Sequence, residues 1–293
     1  MTQGLDASGS VVRRWQLAAA LKAHREQAEL TQEQAIEWLT SGGARWSRSK
    51  LSRVENREHH LKPREVEQLL DAYGVTDPDT RDALVQLAAL PRERGWWLSF
   101  GELPEHWGSL LGLESGLMGL RDFQGQLVHG LLQTADYARA LMMSINPGVL
   151  SPAEVERRVA LRIARQQILD KDPPPQLHFI LDETILQRLV GDRIVMHGQM
   201  RRLLAATEKP NITVQVLPRD VGGSPGLEGP FTLLTLPAPI PDIGRTEGPA
   251  GSLYVEDRDV VRQWTLRFGI LTQRALSCQE SAELIAEAMR SFE

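Results

Sequence analysis

Residues 46–56 read WSRSKLSRVEN. Ser47 is a strong N-cap residue, and no Gly or Pro follows until Pro63, so the stretch predicts a helix opening at Ser47. On a 3.6-residue period Leu51 and Val54 fall on one side, where they would pack inward. Ser49, Ser52, Arg53 and Asn56 fall on the other, flanked by Lys50 and Arg57. Such a face suits the major groove of DNA: Arg pairs with guanine, Asn with adenine, and Ser contacts a base or a phosphate. An ordinary solvated amphipathic helix has the same wheel, so what precedes it decides.

Leu30 to Leu39, LTQEQAIEWL, reads as a second short helix capped by Thr31, and 17–27 as a third with Leu17 and Leu21 on one face. Three short helices, the last two joined by a Gly-containing turn, make the helix-turn-helix arrangement. Leu30-Thr31-Gln32 followed by Ser47-x-Ser49-Lys50-Leu51-Ser52-Arg53-Val54-Glu55 resembles the XRE family of phage-repressor-like (Cro/cI) regulators. The resemblance implies that Gln32 caps helix 2 and touches a phosphate. It implies base contacts from Arg48, Ser49 and Arg53. With the wheel, the expected base contacts are Arg48, Ser49, Ser52 and Arg53, and the expected phosphate contacts Thr31, Gln32, Ser47, Lys50, Asn56 and Arg57. The resemblance also implies a structural ion pair between Arg25 and Glu55. One departure is the turn 40–46, TSGGARW, longer than the usual few residues; it bears on the approach angle of helix 3.

The charge distribution agrees with a local reader. The net charge is −5, yet residues 1–65 carry 11 Lys+Arg against 8 Asp+Glu, which leaves −8 for the remainder. Within 42–62 six basic residues face two acidic ones, with His59 and His60 alongside. An acidic remainder would keep the rest of the chain off the phosphates.

Chain length allows two domains, and 42% hydrophobic with 24% charged residues is ordinary globular composition. No apolar run approaches the ~20 residues of a membrane span, and the N-terminus lacks the apolar core of a signal peptide. Cys278 is the only cysteine, which excludes an intrachain disulfide and a multi-cysteine metal site. These readings place the protein in the cytoplasm, associated with the nucleoid.

Residues 1–12 are small and polar and read as a disordered tail. A helix-turn-helix domain of five helices covers 13–92, with helix 4 at 63–73 and helix 5 at 80–90. The boundary is expected at 91–95, PRERG. From 93 to 293 an effector domain follows, for dimerisation and for a partner or ligand. Helical patterns run through 110–133, broken at Gly130, and through 152–169. Alternation predicts strands at 176–182, 212–217 and 231–236, with a shorter one at 253–256. Helices are expected at 183–190, 196–207, 260–275 and 279–292. The expected fold is α+β, a small mostly antiparallel sheet covered by helices.

This second part carries its own resemblance. Val128-x-Gly130-Leu131-Leu132-Gln133-Thr134-x-x-Tyr137-Ala138-Arg139, Glu156-Arg157-Arg158 through Arg165-Gln166, Asn211 to Pro218, Pro225-Gly226-x-x-Gly229-Pro230-Phe231 and Tyr254-Val255-Glu256 occur in order. They resemble the uncharacterised domain that follows XRE modules in many regulators of high-GC Gram-positive bacteria, where Pro usually stands at the position of His129. The resemblance implies a role in controlling development and secondary metabolism, often beside genes for small partner proteins.

Enzyme chemistry finds no support. HExxH and the phosphate-loop GxxxxGK[ST] are absent, the glycine-rich run Gly222-Gly223-Ser224-Pro225-Gly226 through Gly229-Pro230 reads as a long turn between strands, and none of the seven histidines pairs at helical ligand spacing. No catalytic residue, cofactor or metal is expected, and Cys278 reads as a small packed side chain. The partners expected are double-stranded DNA, a second copy of the chain on an inverted repeat, and a small protein or ligand at the second domain, with no membrane. The rival reading is an antitoxin-like protein that sequesters a small partner, with DNA binding secondary.

Overall fold

The computed structural model describes residues 10–90, 95–101, 105–248 and 251–293. Contacts divide the chain into two units. The first runs to Leu98 and takes in Trp107–Gly116 and Leu236–Pro241; the second holds Ser99–His106, Leu117–Thr235 and Asp242–Glu293. Of the expected boundary at 91–95, all but Gly95 lies outside the described residues.

In the first unit α1 spans Ser10–Gln27, α2 Gln32–Ser41, α3 Arg48–Glu55, α4 Pro63–Ala72 and α5 Pro78–Ala89. Each of the last four opens on a favourable start. Thr31 caps α2 in a capping box with Gln34, Ser47 caps α3, and Asp77 caps α5. Pro63 and Pro78 stand in the first turns of α4 and α5. The inward faces meet in one core of Leu21, Leu39, Leu51, Val54, Leu69 and Leu70.

The expected tail is corrected at its end: helix α1 already begins at Ser10, and Val12 is fully buried. Its partner is α6, Glu105–Glu114. A Cβ on Gly112 would stand 2.5 Å from Val11 Cγ2, so only glycine permits the two helices this approach. Gln16 also donates to the carbonyl of Ala238, 3.0 Å away. These anchors are distant in sequence, which is why the polar composition of the N-terminus concealed them.

The second unit is built on six strands in the order β3-β2-β1-β4-β5-β6. β1 is Gly119–Gln124, β2 Gln176–Asp182, β3 Ile212–Leu217, β4 Phe231–Thr235, β5 Ile243–Gly248 and β6 Gly251–Val255. β1 pairs parallel with β2, and β2 with β3; the other pairings are antiparallel. The sheet is therefore larger than expected, and mixed rather than mostly antiparallel. Two strands account for the difference. β1, read as helix, is central and makes one of the two parallel pairings, the other being β2 with β3, while β5 was not expected at all.

Register places Phe179, Asp122, Thr232, Arg245 and Tyr254 in one cross-strand row. On that face the Phe179 ring packs on His129, Asp122 feels the charge of Arg165 in α8 (Pro152–Arg165), and Gln199 of α10 (Arg193–Thr207) donates to the Leu132 carbonyl just before α7 (Ala135–Ile145). The opposite face carries Phe123, Ile180, Phe231 and Leu233, packed on Val261, Phe268 and Leu271 of α11 (Arg258–Arg274). The β3 edge is closed by the start of α12 (Cys278–Ser291): Val216 N–H donates to Ser281 Oγ at 2.9 Å, and Leu276 N–H to the Val216 carbonyl. Capping an edge in this way removes a template for strand addition.

Candidate nucleic-acid interface

Helix α3 is short and strongly two-sided. Leu51 is fully buried and Val54 2% exposed, while Arg48, Ser49, Arg53 and Asn56 are exposed and Ser52 half-buried. Arg53 Nε lies 3.3 Å from the Ser49 carbonyl, and Asn56 Nδ2 3.4 Å from Ser52 Oγ, so the polar face is loosely tied to itself. Arg48 reaches Glu33 at 2.9 Å, both side chains more than half exposed. An exposed pair of this kind is worth only ~0–1 kcal/mol, so a phosphate or base competes readily for the guanidinium.

The structure holds α3 from behind. Glu55 is buried and forms a bidentate pair with Arg25: Nε to Oε1 at 2.6 Å and Nη2 to Oε2 at 3.1 Å. Arg25 Nη1 also donates to the Leu30 carbonyl. Glu55 raises the Arg25 pKa further by hydrogen bond and charge, against the opposing effect of burial. Gln32 donates to Glu55 Oε2 at 2.8 Å. Here the structure differs from the family pattern: Thr31, not Gln32, caps α2, and Gln32 links the start of α2 to the end of α3. Its amide has a second N–H to offer a phosphate. The hydroxyls of Thr31 and Ser47 accept the capping bonds and keep their own protons to donate outward.

Lys50 corrects an expectation. Its Nζ lies 2.5 Å from Glu65 Oε1 and 4.1 Å above the Trp46 ring, and its side chain is 18% exposed. It braces α3 against α4 instead of projecting with Arg53. Arg57 lies with its guanidinium carbon 3.8 Å from the Trp15 ring centroid, and its φ of +66° turns the chain sharply out of α3.

The long turn is ordered by the same tryptophan. Between α2 and α3, Gly43 takes φ +78°, and the buried Trp46 donates from Nε1 to Gln68 Oε1 at 2.9 Å. The additional residues thus fold back as a plug that fixes the entry of α3. Gln68, Glu65 and Trp46 went unnoticed as supports; a tryptophan beside a glycine turn was the available signal.

Two comparisons match. A model described as a helix-turn-helix domain covers residues 16–84. A second, described as a domain of unknown function (DUF5753), covers residues 107–287. The chain belongs to the DUF5753 family. No curated protein and no solved structure matches it. A DNA-binding helix-turn-helix domain followed by a DUF5753 domain agrees with the two resemblances read from the sequence. Among the described residues no helix is long and apolar enough to cross a membrane.

The DUF5753 unit buries charge under its sheet. Asp122 is fully buried; its Oδ1 accepts from Thr232 Oγ1 at 2.6 Å and Gln124 Nε2 at 3.1 Å, and burial pushes its pKa up to about 6. Burial, then the Arg165 charge, pushes Arg162 down to about 10. His129 is held neutral by burial and by Arg165, Arg245 and Arg162. Its Nδ1 accepts from Leu131 N–H at 3.3 Å and its ring packs on Phe179. At φ −57° the position also suits the proline usual in the family. Cys278 is exposed at the start of α12, not packed as expected.

Proposed function

We propose that this DUF5753 protein is a cytoplasmic, non-enzymatic, sequence-specific transcription regulator of the XRE type, with α3 in the major groove. The carrying observation is the division of α3, with Leu51 and Val54 buried behind and Arg48, Ser49, Arg53 and Asn56 exposed in front. Arg48, Ser49, Ser52 and Arg53 read bases. Thr31, Gln32, Ser47, Asn56 and Arg57 hold phosphates, and Lys50 serves as a brace. One such helix spans few base pairs, so the working unit is a homodimer on an inverted repeat. The second unit receives the ligand or partner that sets occupancy.

The rival, sequestration of a small partner protein, has one observation in its favour. Met143 and Ile145 at the end of α7, Val149 after it, Leu189 before α10 and Ile194 at its start are exposed large apolar residues. The two segments meet where Gly191 lies against Ala140. Apolar exposure gathered in one region marks a protein contact.

Genome-wide immunoprecipitation of the tagged protein, with mass spectrometry of what co-purifies, separates the two. Sharp peaks sharing an inverted repeat support the regulator. Absent or diffuse peaks with one stoichiometric small protein overturn it in favour of sequestration.

A further inference from the structure

The long turn between α2 and α3 is held more firmly than its two glycines suggest. Gly43 N–H donates to the Thr40 carbonyl at 3.0 Å, Ala44 N–H to the Leu39 carbonyl at 3.0 Å, and Trp46 N–H to the Ala44 carbonyl at 3.1 Å. Ala44 packs against the core of the first unit, and Trp46 is buried in it. Both neighbours of Arg45 are therefore anchored, and the point from which its side chain leaves the backbone is fixed.

Arg45 is the one charged residue of the turn, and it is exposed. Among the described residues no hydrogen bond or ion pair engages its guanidinium. The nearby cations of α3 differ, since Arg48 is tied to Glu33 and Lys50 to Glu65. Direction follows from the backbone. Ser47 is extended, with φ −139° and ψ 154°, and exposure alternates along the segment: Arg45 outward, Trp46 inward, Ser47 outward. Alternate residues of an extended chain share a side. Arg45 thus projects with Ser47, from a point ~6.6 Å behind it along the chain.

We propose that Arg45 is a clamp on the DNA backbone, its guanidinium holding a phosphate beside the one that Ser47 contacts. The proposal rests on the reading of α3 as the DNA-reading helix. A phosphate suits Arg45 better than a base, because the residue stands before α3 and outside the row of Arg48, Ser49, Ser52 and Arg53. A guanidinium grips phosphate through paired charge-assisted hydrogen bonds. Such a contact positions the protein on the duplex without reading sequence. Anchoring at the base of the side chain lowers the ordering cost of the contact. The turn that departs from the usual length then has two parts: Trp46 fixes the entry of α3 from inside, and Arg45 fixes it against the DNA from outside.

The test uses the full chain and fluorescence anisotropy, over a range of salt, on two duplexes of equal length: the immunoprecipitated operator and its scrambled version. Each neutralised phosphate steepens the fall of log affinity with log salt by ~0.9. Arg45→Gln is expected to flatten the slope by that amount and to weaken both duplexes alike, about eightfold at ~0.1 M salt. Arg45→Lys keeps the charge and is expected to restore the slope. Both variants are expected to melt with the wild type, because the side chain they replace makes no bond within the fold. An unchanged slope in Arg45→Gln overturns the clamp. A loss confined to the operator also overturns it, by making Arg45 a base reader, and so does a melting temperature lowered in both variants, by giving Arg45 a role inside the fold. A wild-type chain that binds neither duplex overturns the regulator reading and the clamp together, whereas wild-type binding with an unaffected Arg45→Gln variant overturns the clamp alone.

Discussion

Replacing Glu55 with alanine tests whether the orientation of α3 depends on a buried charge pair. The carboxylate accepts three side-chain bonds, two from Arg25 and one from Gln32, with the two charged side chains 5% and 11% exposed. Truncation leaves a guanidinium nine-tenths removed from water with the Leu30 carbonyl and, at 3.8 Å, the half-exposed Glu26 carboxylate. Breaking a buried pair by removing one partner costs about 3–5 kcal/mol, and the retained carbonyl bond places this case toward the lower end. Against a typical total stability of about 5–15 kcal/mol that is a large fraction. The double change Arg25→Met with Glu55→Leu removes both charges and should recover most of the loss. Urea unfolding, read by hydrogen exchange of the peptide spanning α3, isolates this unit from the second. Because Glu55 faces inward, operator affinity should fall through stability while base preference is kept. A loss below ~1 kcal/mol for Glu55→Ala, or a double variant as damaged as the single one, would refute the reasoning.

Three further outcomes are expected. Arg53→Ala should relax base preference at one position at a cost of ~1–3 kcal/mol, measured by anisotropy on operators carrying single substitutions; equal losses on operator and scrambled DNA count against base reading. Lys50→Ala should lower the melting temperature through the lost Glu65 and Trp46 contacts, by about 1–2 kcal/mol, and leave the salt dependence of DNA binding unchanged. A salt slope reduced by about one charge would return Lys50 to the phosphates. Asp122 should make stability fall as pH rises. Its folded pKa of about 6 exceeds the ordinary 3.8, so the fold holds the proton more tightly and this contribution is full below pH 4 and lost through pH 6. Wild type should therefore lose up to about 3 kcal/mol relative to Asp122→Asn between pH 4 and pH 7, by chemical denaturation. Parallel pH profiles would sink the assignment.

What was legible in the sequence follows from how local each signal is. Helix α3 could be read because its cap, its apolar pair and its polar face lie within the ten residues Ser47 to Asn56. Strands β2 and β3 matched their expected limits because buried strands bounded by Pro, Asp and Asn carry their own pattern. β1 and β5 were missed for a common reason. Each places a charged residue, Asp122 or Arg245, where alternation demands an apolar one, and Thr232 between them bonds to Asp122 across the sheet. A polar row assembled across three strands has no signature within any one of them.

The same argument explains what the candidate site concealed. Lys50 and Arg53 are equally basic on a helical wheel, which places Arg53 on the polar face and Lys50 beside it. Only Glu65 and Trp46, from α4 and from the turn, turn one of them inward. Gln32 likewise has the residue type for a phosphate but spends one amide bond on Glu55, twenty-three positions away. The pattern within a helix indicates which residues can project outward; contacts from its neighbours select those that do. The long turn, which put the approach of α3 in question, supplies through Trp46 both the plug that fixes that approach and the ring that holds Lys50.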